Sequence, residues 1–469
     1  MGSQKLRGKD LDKIHIHSND LKSLLIEQMT KLCKYQTKEE KLLLLLSIKE
    51  NPTNYLEDEK LKEIACLFQD RGVVKEAKEE ISLLPEAKEF TVYGRKHISS
   101  NAYLQMKQAM QLPIAEKGAL MPDAHHGYGL PIGGVLATKN AVIPYGVGVD
   151  IGCRMSLSIF DIKSPYLKRY AYQLKHALKE KTCFGTGGEL MIRQEHEVLD
   201  SKVFSETALL RQLHSKAARQ LGTSGSGNHF VEFGEVTLAE NNDFGLPQGE
   251  YVGLLAHSGS RGLGATIANH YTQMAKEQCL LPTKVQHLAW LDLATELGQE
   301  YWLSMNLAGE YAKACHDQIH YHLSQHLGIK AIVKVENHHN FAWKEKRITG
   351  EELIVHRKGA TPAAAGELGI IPGSMANDGY IVRGKGQVES LLSASHGAGR
   401  KMSRSKARQS YTNSQLKKVL SQKGVTLIGG GVDEAPVAYK DLEQVMMSQE
   451  QLVDVVGKFT PKIVRMDKK

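Results

Sequence analysis

Glycine is distributed very unevenly along this chain of 469 residues. Only three of the 43 glycines, Gly2, Gly8 and Gly72, lie within the first 88 residues, and the other 40 follow. Because glycine weakens helix interiors and is favoured in tight turns, this contrast indicates two kinds of structure. The sequence predicts a small helical domain over residues 1–88, with a linker near Pro85, and a turn-rich domain over residues 89–469.

The first 88 residues carry the spacing and capping signals of helices. Leucine and methionine recur at helical spacing between residues 21 and 32, which predicts an amphipathic helix. Thr37 and Glu40 have the spacing of a capping box before the next apolar run, and Pro52 ends that run. A third helix is predicted from about Asp58 to near Gly72.

Beyond residue 88 the pattern changes to short apolar runs separated by glycine-rich turns. The runs "YVGLLA", "AIVKVE", "YIVRG" and "VTLIGG" are typical of buried strands. Helices are predicted within residues 283–327 and near residues 413–422. The expected fold class is therefore α+β, a mixed α and β core with a small N-terminal helical domain.

Composition restricts the class of protein. Hydrophobic residues make up 41% of the chain, enough for a large domain and a smaller one. The longest purely apolar run, Leu42 to Leu46, is far below the ~18 residues of a membrane span, and we identify no signal peptide. We therefore expect a cytoplasmic protein that does not associate with membranes. The formal charge of +8 favours an anionic partner such as nucleic acid, and the six scattered cysteines do not form a disulfide framework.

Five side chains beside strand-like runs have the chemistry of a transition-metal site. Asp150 and Cys153 lie three apart in "GVDIGCR", and His229, His257 and His339 each stand at or beside such a run. A thiolate, a carboxylate and neutral imidazoles suit manganese, zinc, iron or cobalt, and suit calcium or magnesium poorly. Each residue alone is more often structural, but the set together predicts a metal site.

His316 and His320 offer a contrasting case. They stand at i, i+4 helical spacing in "HDQIH", which also suits metal ligands. Their neighbours are those of an ordinary amphipathic helix, without a glycine turn or an accompanying acid. We expect both histidines to be structural.

Three glycine-rich turns with polar or cationic neighbours are typical of anion sites. "HSGSRGLG" contains Arg261 and leads into a helix predicted from Ala265, "IIPGSMANDG" presents Ser374, and "SHGAGRKMSRS" combines His396 with Arg400. Backbone N–H groups and positive charge at such turns hold phosphate or sulfate. Beside a metal set, these turns favour phosphate chemistry.

Several nucleotide-handling motifs do not occur in the sequence. It contains no phosphate loop ending in Gly-Lys-Ser or Gly-Lys-Thr, no complete dinucleotide fingerprint and no Lys-x-Asp-Gly pattern. If a nucleotide is activated covalently, another nucleophile is required. His396 is the candidate.

The motifs of the second domain resemble those of a known family. They occur in the family's order over about residues 90–445, and they are "MPDAHHGYGLPIGGVLAT", "GVGVDIGCR", "GSGNHFVE", "AHSGSRG", "HHN", "VHRKGATPA", "PGSM", "SHGAGR" and "VDEAPVAYKD". Together they resemble the RtcB family of RNA-splicing ligases. The resemblance implies an RtcB-like catalytic domain over residues 89–469.

The resemblance also implies an activity and its cofactors. Such a ligase joins an RNA 3′-phosphate or 2′,3′-cyclic phosphate end to a 5′-hydroxyl end, in tRNA splicing or RNA repair, using GTP and two Mn²⁺ ions. Asp150, Cys153 and His229 would hold one ion, and Cys153, His257 and His339 would hold the other, so the thiolate would be shared. His396 would form a covalent histidine–guanylate. The partners would be GTP and RNA with broken or spliced ends, tRNA among them, and an activating protein partner is left open.

Further positions follow from the resemblance. The nucleotide would contact Asn228, Phe230, Val231, Glu232, Asn340, Pro372, Gly373, Ser374, Met375, Gly397, Ala398, Gly399 and Tyr439. Basic residues expected to hold RNA are Arg261, Lys358 and Arg400. The chain departs from the family at Gly379, where the family often has a serine, and in its closing segment "PKIVRMDKK", where the family usually ends with a lysine.

Two other functions remain open at this point. A metal-dependent hydrolase that opens 2′,3′-cyclic phosphates would need the metal ligands but not His396, and a non-catalytic RNA-binding protein would need neither. No run of aromatic residues accompanies the basic positions, so we expect RNA binding to be mainly electrostatic. Every candidate site residue lies after residue 120, so we expect residues 1–88 to be dispensable for the chemistry.

Overall fold

The computed structural model describes residues 5–14, 16, 19–34, 36–69, 80–240, 242–346 and 350–468. The chain divides into two compact units, residues 1–79 and residues 80–469. The division falls nine residues before the expected boundary, because residues 80–88 belong to the second unit. Within that unit, the Ile81 amide donates to the Leu280 carbonyl at 2.8 Å and the Leu84 amide to the Gln111 carbonyl at 2.8 Å.

The first unit is helical where it is described. Its α-helices are α1 (Gly8–Leu11), α2 (Asn19–Leu32), α3 (Lys38–Glu50) and α4 (Lys62–Gln69). The predicted capping box is confirmed, since the Glu40 amide donates to Thr37 Oγ1 at 3.3 Å and the Thr37 amide to Glu40 Oε2 at 2.7 Å. Helix α4 begins four residues after Asp58, and its expected end near Gly72 lies outside the described residues.

The second unit mixes helices and strands, which confirms the predicted fold class. Its α-helices are α5 (Ser100–Ala109), α6 (Pro144–Val147), α7 (Pro165–Arg169), α8 (Ala171–Lys181), α9 (Ala208–Gln220), α10 (Arg261–Gln278), α11 (Glu296–Leu327), α12 (Arg404–Ser410), α13 (Asn413–Gln422) and α14 (Leu442–Met447). Its strands are β1 (Thr91–Val92), β2 (Ala115–His125), β3 (Ile132–Thr138), β4 (Ala141–Val142), β5 (Arg154–Lys163), β6 (Phe230–Leu238), β7 (Gly249–Ser258), β8 (Leu291–Asp292), β9 (Ala331–His338), β10 (Asn340–Lys346), β11 (Glu352–Lys358), β12 (Ala360–Pro362), β13 (Leu368–Ile371), β14 (Gly379–Gly384), β15 (Ser393–Ser395), β16 (Thr426–Gly430) and β17 (Val453–Lys468).

The four apolar runs expected to be strands correspond to β7, β9, β14 and β16. The long helix α11 begins at Glu296 rather than near residue 283. Residues 283–288 form a 3₁₀ helix instead, and β8 follows. Thr295 caps α11 by accepting from the Gly298 amide at 3.2 Å. Within the described chain, no helix is both long and apolar enough to cross a membrane.

Two large sheets organise the second unit. One has the order β1-β2-β3-β11-β10, and the other has the order β13-β14-β17-β6-β7-β5-β9 with β16 beside β17. Strand β7 is antiparallel to β6 and to β5, and β5 is antiparallel to β9. The starts of β5 and β6 therefore lie at the same end of the sheet as the ends of β7 and β9. The register places His257 opposite both Met155 and Phe230 at that end.

Candidate metal centre and adjoining cavity

One end of the larger sheet brings the predicted metal ligands together. Cys153 immediately precedes β5, His229 immediately precedes β6, His257 is the penultimate residue of β7, and His339 immediately follows β9. Because these strands are neighbours and alternate in direction, their four side chains meet although they are far apart in sequence. Asp150 reaches the same point from the turn that leads to Cys153.

The side chains form a continuous series of short contacts with Cys153 in the middle. On one side, Cys153 Sγ lies 3.5 Å from His229 Nε2, which lies 2.9 Å from Asp150 Oδ2. On the other side, Cys153 Sγ lies 3.2 Å from His257 Nε2, which lies 3.3 Å from His339 Nε2. Ligand atoms of Cys153, His229 and His257 all lie within 4.8 Å of one another, so this cluster could hold a metal ion.

Burial and neighbouring charges shift the pKa values of these ligands in different directions. Burial and the neighbouring His229 lower the pKa of His257 to about 3, so its imidazole is neutral at physiological pH. Burial would raise the pKa of Asp150, but His229 and the hydrogen bonds to the carboxylate lower it to about 2. Burial and the carboxylate of Asp150 raise the pKa of Cys153 well above its usual value. A divalent cation would favour the thiolate instead.

The turns around the cluster leave no room for additional side chains. The Nδ1 atom of His257 donates to the Asn228 carbonyl at 3.1 Å, which directs Nε2 toward Cys153. A Cβ atom at Gly259 would collide with the Asp150 carboxylate, and one at Gly225 would collide with the His229 ring. The glycines are therefore needed for close packing around the ligands.

His396 lies beside this cluster and is held by a buried carboxylate. Its ring is 5.1 Å from that of His339, measured between centroids. Nδ1 of His396 donates to Asp123 Oδ2 at 2.7 Å, and the His396 backbone amide donates to the same oxygen at 3.2 Å. The Asp123 side chain is fully buried, whereas that of His396 is 17% exposed. Nε2 of His396 makes no hydrogen bond to any residue that the structure describes.

His396 and the cluster border a cavity of about 290 Å³. The residues expected to contact a nucleotide that line it are Asn228, Phe230, Glu232, Pro372, Gly373, Ser374, Met375, Gly397, Ala398, Gly399 and Tyr439. His257, His339 and Arg400 line it as well. The arrangement places a cluster of candidate metal ligands, the imidazole of His396 and a cavity side by side. Such a combination suits phosphate-transfer chemistry.

Comparison with known proteins decides the family. A sequence model of the family described as "tRNA-splicing ligase RtcB" matches residues 105–467. The chain belongs to the RtcB family. The RNA-splicing ligase RtcB of Escherichia coli strain K12 is 32% identical, with 76% of this chain and 92% of the relative covered. The tRNA-splicing ligase RtcB of Thermococcus kodakarensis is 28% identical, with 80% of this chain and 94% of the relative covered. The RNA-splicing ligase RtcB homolog 2 of Entamoeba dispar is 29% identical, with 78% of this chain and 83% of the relative covered.

Two of the expected nucleotide contacts lie away from the cavity lining of this RtcB-family chain. Val231 is fully buried in a hydrophobic core. Asn340 donates to the Asp150 carbonyl at 3.3 Å and accepts from the Gly359 amide at 2.9 Å, so it supports the turn that carries Asp150.

The three cations expected to hold RNA are all engaged within the protein. Arg261 is buried and donates to Thr223 Oγ1 at 2.9 Å. Lys358 is buried and donates to the carbonyls of Tyr128 and Tyr145 at 2.6 and 2.9 Å. Arg400 donates to Glu434 Oε2 at 2.9 Å and to the Asp433 carbonyl at 2.7 Å. Their contact with RNA stays a prediction.

Sequence reasoning missed several charged residues of the site. Asp123, which orients His396, lies in the motif "MPDAHHG", but nothing in the spacing pairs it with a residue 273 positions away. Glu434 and Arg404 form an ion pair and both line the cavity. Burial would raise the pKa of Asp123, but His396 and Lys440 keep it below its usual value.

The other histidine pair is separate from the Cys153 cluster. His316 and His320 are buried on α11. His316 Nδ1 donates to the Ala312 carbonyl at 2.8 Å, and His320 Nδ1 is hydrogen-bonded to Ser158 Oγ at 2.8 Å. These contacts agree with the structural role expected from their helical neighbours.

Proposed function

We propose that this protein is an RNA ligase that joins 3′-phosphate or 2′,3′-cyclic phosphate ends to 5′-hydroxyl ends, in tRNA splicing or RNA repair, with GTP as the energy source. The observation that carries the proposal is the position of His396. One of its ring nitrogens donates to the buried Asp123, while the other makes no hydrogen bond to any described residue, and the ring lies beside His339 and lines the cavity. A hydrolase would use the metal ligands but would have no need of this arrangement.

The ligand set fits two Mn²⁺ ions. Asp150, Cys153 and His229 would hold one ion, and Cys153, His257 and His339 would hold the other, because Cys153 lies between the two groups. The mixture of oxygen, nitrogen and sulfur donors suits a borderline-soft cation. When bound, the ions would neutralise negative charge that develops on the α-phosphate of GTP.

His396 would act as the nucleophile. Because Nδ1 donates to Asp123, Nε2 carries the lone pair and can attack the α-phosphorus. A P–N bond forms to Nε2, the bond from the α-phosphorus to the bridging oxygen breaks, and pyrophosphate leaves. The Asp123 carboxylate stabilises the positive charge that forms on the imidazole ring.

The guanylate would then activate the RNA end. A 2′,3′-cyclic phosphate is first opened by water to a 3′-phosphate, one of whose oxygens attacks the guanylate and displaces His396. The RNA 5′-hydroxyl attacks the 3′-phosphorus, GMP leaves, and a phosphodiester remains. The cavity that adjoins His396 would hold the nucleotide, with Asn228, Glu232 and Tyr439 among the contacting residues.

A sealing assay tests the proposal and separates the alternatives. RNA with 2′,3′-cyclic phosphate and 5′-hydroxyl ends is incubated with the protein, GTP and Mn²⁺. The unmodified protein and the control His270→Ala, an exposed histidine of α10, should seal the strands. His396→Ala should open the cyclic phosphate but leave the strands unsealed. Opening without sealing by the unmodified protein would instead indicate a hydrolase, and RNA binding without either reaction would indicate a non-catalytic protein.

A further inference from the structure

Three aromatic rings that are not consecutive in the sequence meet in the second unit. Tyr128, Tyr145 and His287 have centroid separations of 6.5 Å between the tyrosines, 6.1 Å between Tyr128 and His287, and 5.0 Å between Tyr145 and His287. We call these three residues the aromatic platform. The sequence shows no run of aromatic residues beside the basic positions, because these three rings come together only in the folded chain.

Tyr128 is the accessible member of the platform. It is 67% exposed, whereas Tyr145 and His287 are half-buried. Its ring meets the Tyr145 ring at 85° and the His287 ring at 66°, so neither neighbour stacks in parallel on it. A large exposed aromatic ring held by such steep contacts can accept a planar group by stacking.

Lys358 links the two tyrosines of the platform through their backbones. Its ammonium group donates to the backbone carbonyls of Tyr128 and Tyr145 and lies 4.8 Å from the centroid of the Tyr145 ring. This buried lysine joins the loop of Tyr128 to the helix of Tyr145. Lys358 was expected to bind RNA, but these contacts support another role, which is to position the rings.

Residues close in sequence to the platform lie at the candidate site. The loop that carries Tyr128 is bounded by His125 and Ile132, which both line the cavity next to His396. Lys358 precedes Gly359, whose amide donates to the His339 carbonyl at 2.8 Å. A strand whose end occupies the site could therefore place a nearby base on the rings.

The electrostatics suit a nucleic-acid strand. Burial, together with the cations Lys276 and Lys358, lowers the pKa of His287, so this ring is neutral at physiological pH and packs as an ordinary aromatic group. Burial lowers the pKa of Lys358 to about 7, so that amine is only partly charged at physiological pH. Lys276 is the other cation that acts on His287, and its positive charge attracts phosphate groups that flank a stacked base. Rings with cations nearby are a recurring form of single-strand binding site.

We propose that the aromatic platform stacks an unpaired base of the RNA strand whose end enters the site. This inference rests on the proposed function, because it takes RNA as the substrate. Stacking tolerates any base, so the platform would add affinity near the broken end without demanding a sequence. Tyr128 supplies the contact surface, and Tyr145, His287 and Lys358 position it.

The test measures binding of a short single-stranded RNA with a 3′-phosphate, in the presence of Mn²⁺ and without GTP. Tyr128→Ala should bind roughly 5- to 100-fold more weakly than the unmodified protein, as expected for loss of one stacked base. Tyr128→Trp should restore binding. The control Tyr172→Ala, which removes a tyrosine that is 75% exposed on α8, should bind normally.

RNAs that lack the base at one chosen position show which base stacks on Tyr128. Removing the base that stacks on Tyr128 should weaken binding to the unmodified protein but not to Tyr128→Ala. The proposal would be overturned if Tyr128→Ala bound RNA as tightly as the unmodified protein. It would also be overturned if removing a base weakened RNA binding equally in the two proteins at every position of the RNA. Guanylate formation with GTP alone is measured in parallel. If the unmodified protein forms no guanylate, the proposed function fails, whereas unchanged RNA binding by Tyr128→Ala with normal guanylate formation contradicts only the platform.

Discussion

Among single residues, Cys153 is the one at the centre of the candidate metal site. It contacts His229 on one side and His257 on the other, and it is almost completely buried. Burial beside Asp150 raises the pKa of its thiol, so the thiolate needs a cation to compensate the cost of a buried negative charge. If Cys153 is shared by two metal ions, its substitution should reduce metal binding more than substitution of a residue that holds one ion.

Cys153→Ala should therefore lose both Mn²⁺ ions, whereas His339→Ala should lose one. Each histidine contacts one group, but the thiolate would serve both. Metal content per chain after exhaustive dialysis checks this, with Cys33→Ala, a buried cysteine of the first unit, as the control. Full metal occupancy in Cys153→Ala would exclude the shared-ligand arrangement.

At the scale of elements, the site depends on strand order more than on any local motif. Helix caps and apolar runs are local signals, and for that reason α3 and strands β7, β9, β14 and β16 could be predicted from sequence. The predicted start of α11 was wrong. Residues 283–295 contain apolar positions that resemble those of a helix, but they form a 3₁₀ helix and then β8. The pairing of β6, β7, β5 and β9, which collects the ligands, has no local signal.

The segment of residues 80–88 gives an element-scale prediction. Ile81 and Leu83 pack against the core of the second unit, and backbone hydrogen bonds fix the segment there. A chain that starts at residue 80 should fold and form the guanylate. A chain that starts at residue 89 should lose about 1–3 kcal/mol of unfolding free energy, from the removed apolar burial. Urea unfolding compares the two, and equal stability would show that the segment contributes nothing.

For the whole molecule, sequence predicted the chemistry better than the arrangement. Residue types in glycine-rich turns predicted five candidate metal ligands and His396, and the structure brings these side chains together. The pairing of His396 with Asp123, the burial of Arg261 and Lys358, and the aromatic platform could not be predicted, since each depends on contacts between residues far apart in the chain. Long-range packing decides which charged groups face the cavity and which hold the protein together.

The most direct test of the whole account is transfer of label from GTP to protein. With GTP labelled at the α-phosphate and with Mn²⁺, the unmodified protein should acquire an acid-labile label, as expected of a phosphoramidate on histidine. His396→Ala should acquire none while it retains both metal ions, because the proposed role of His396 is nucleophile and not ligand. Label that persists on His396→Ala, or loss of both metal ions from that variant, would contradict the assignment.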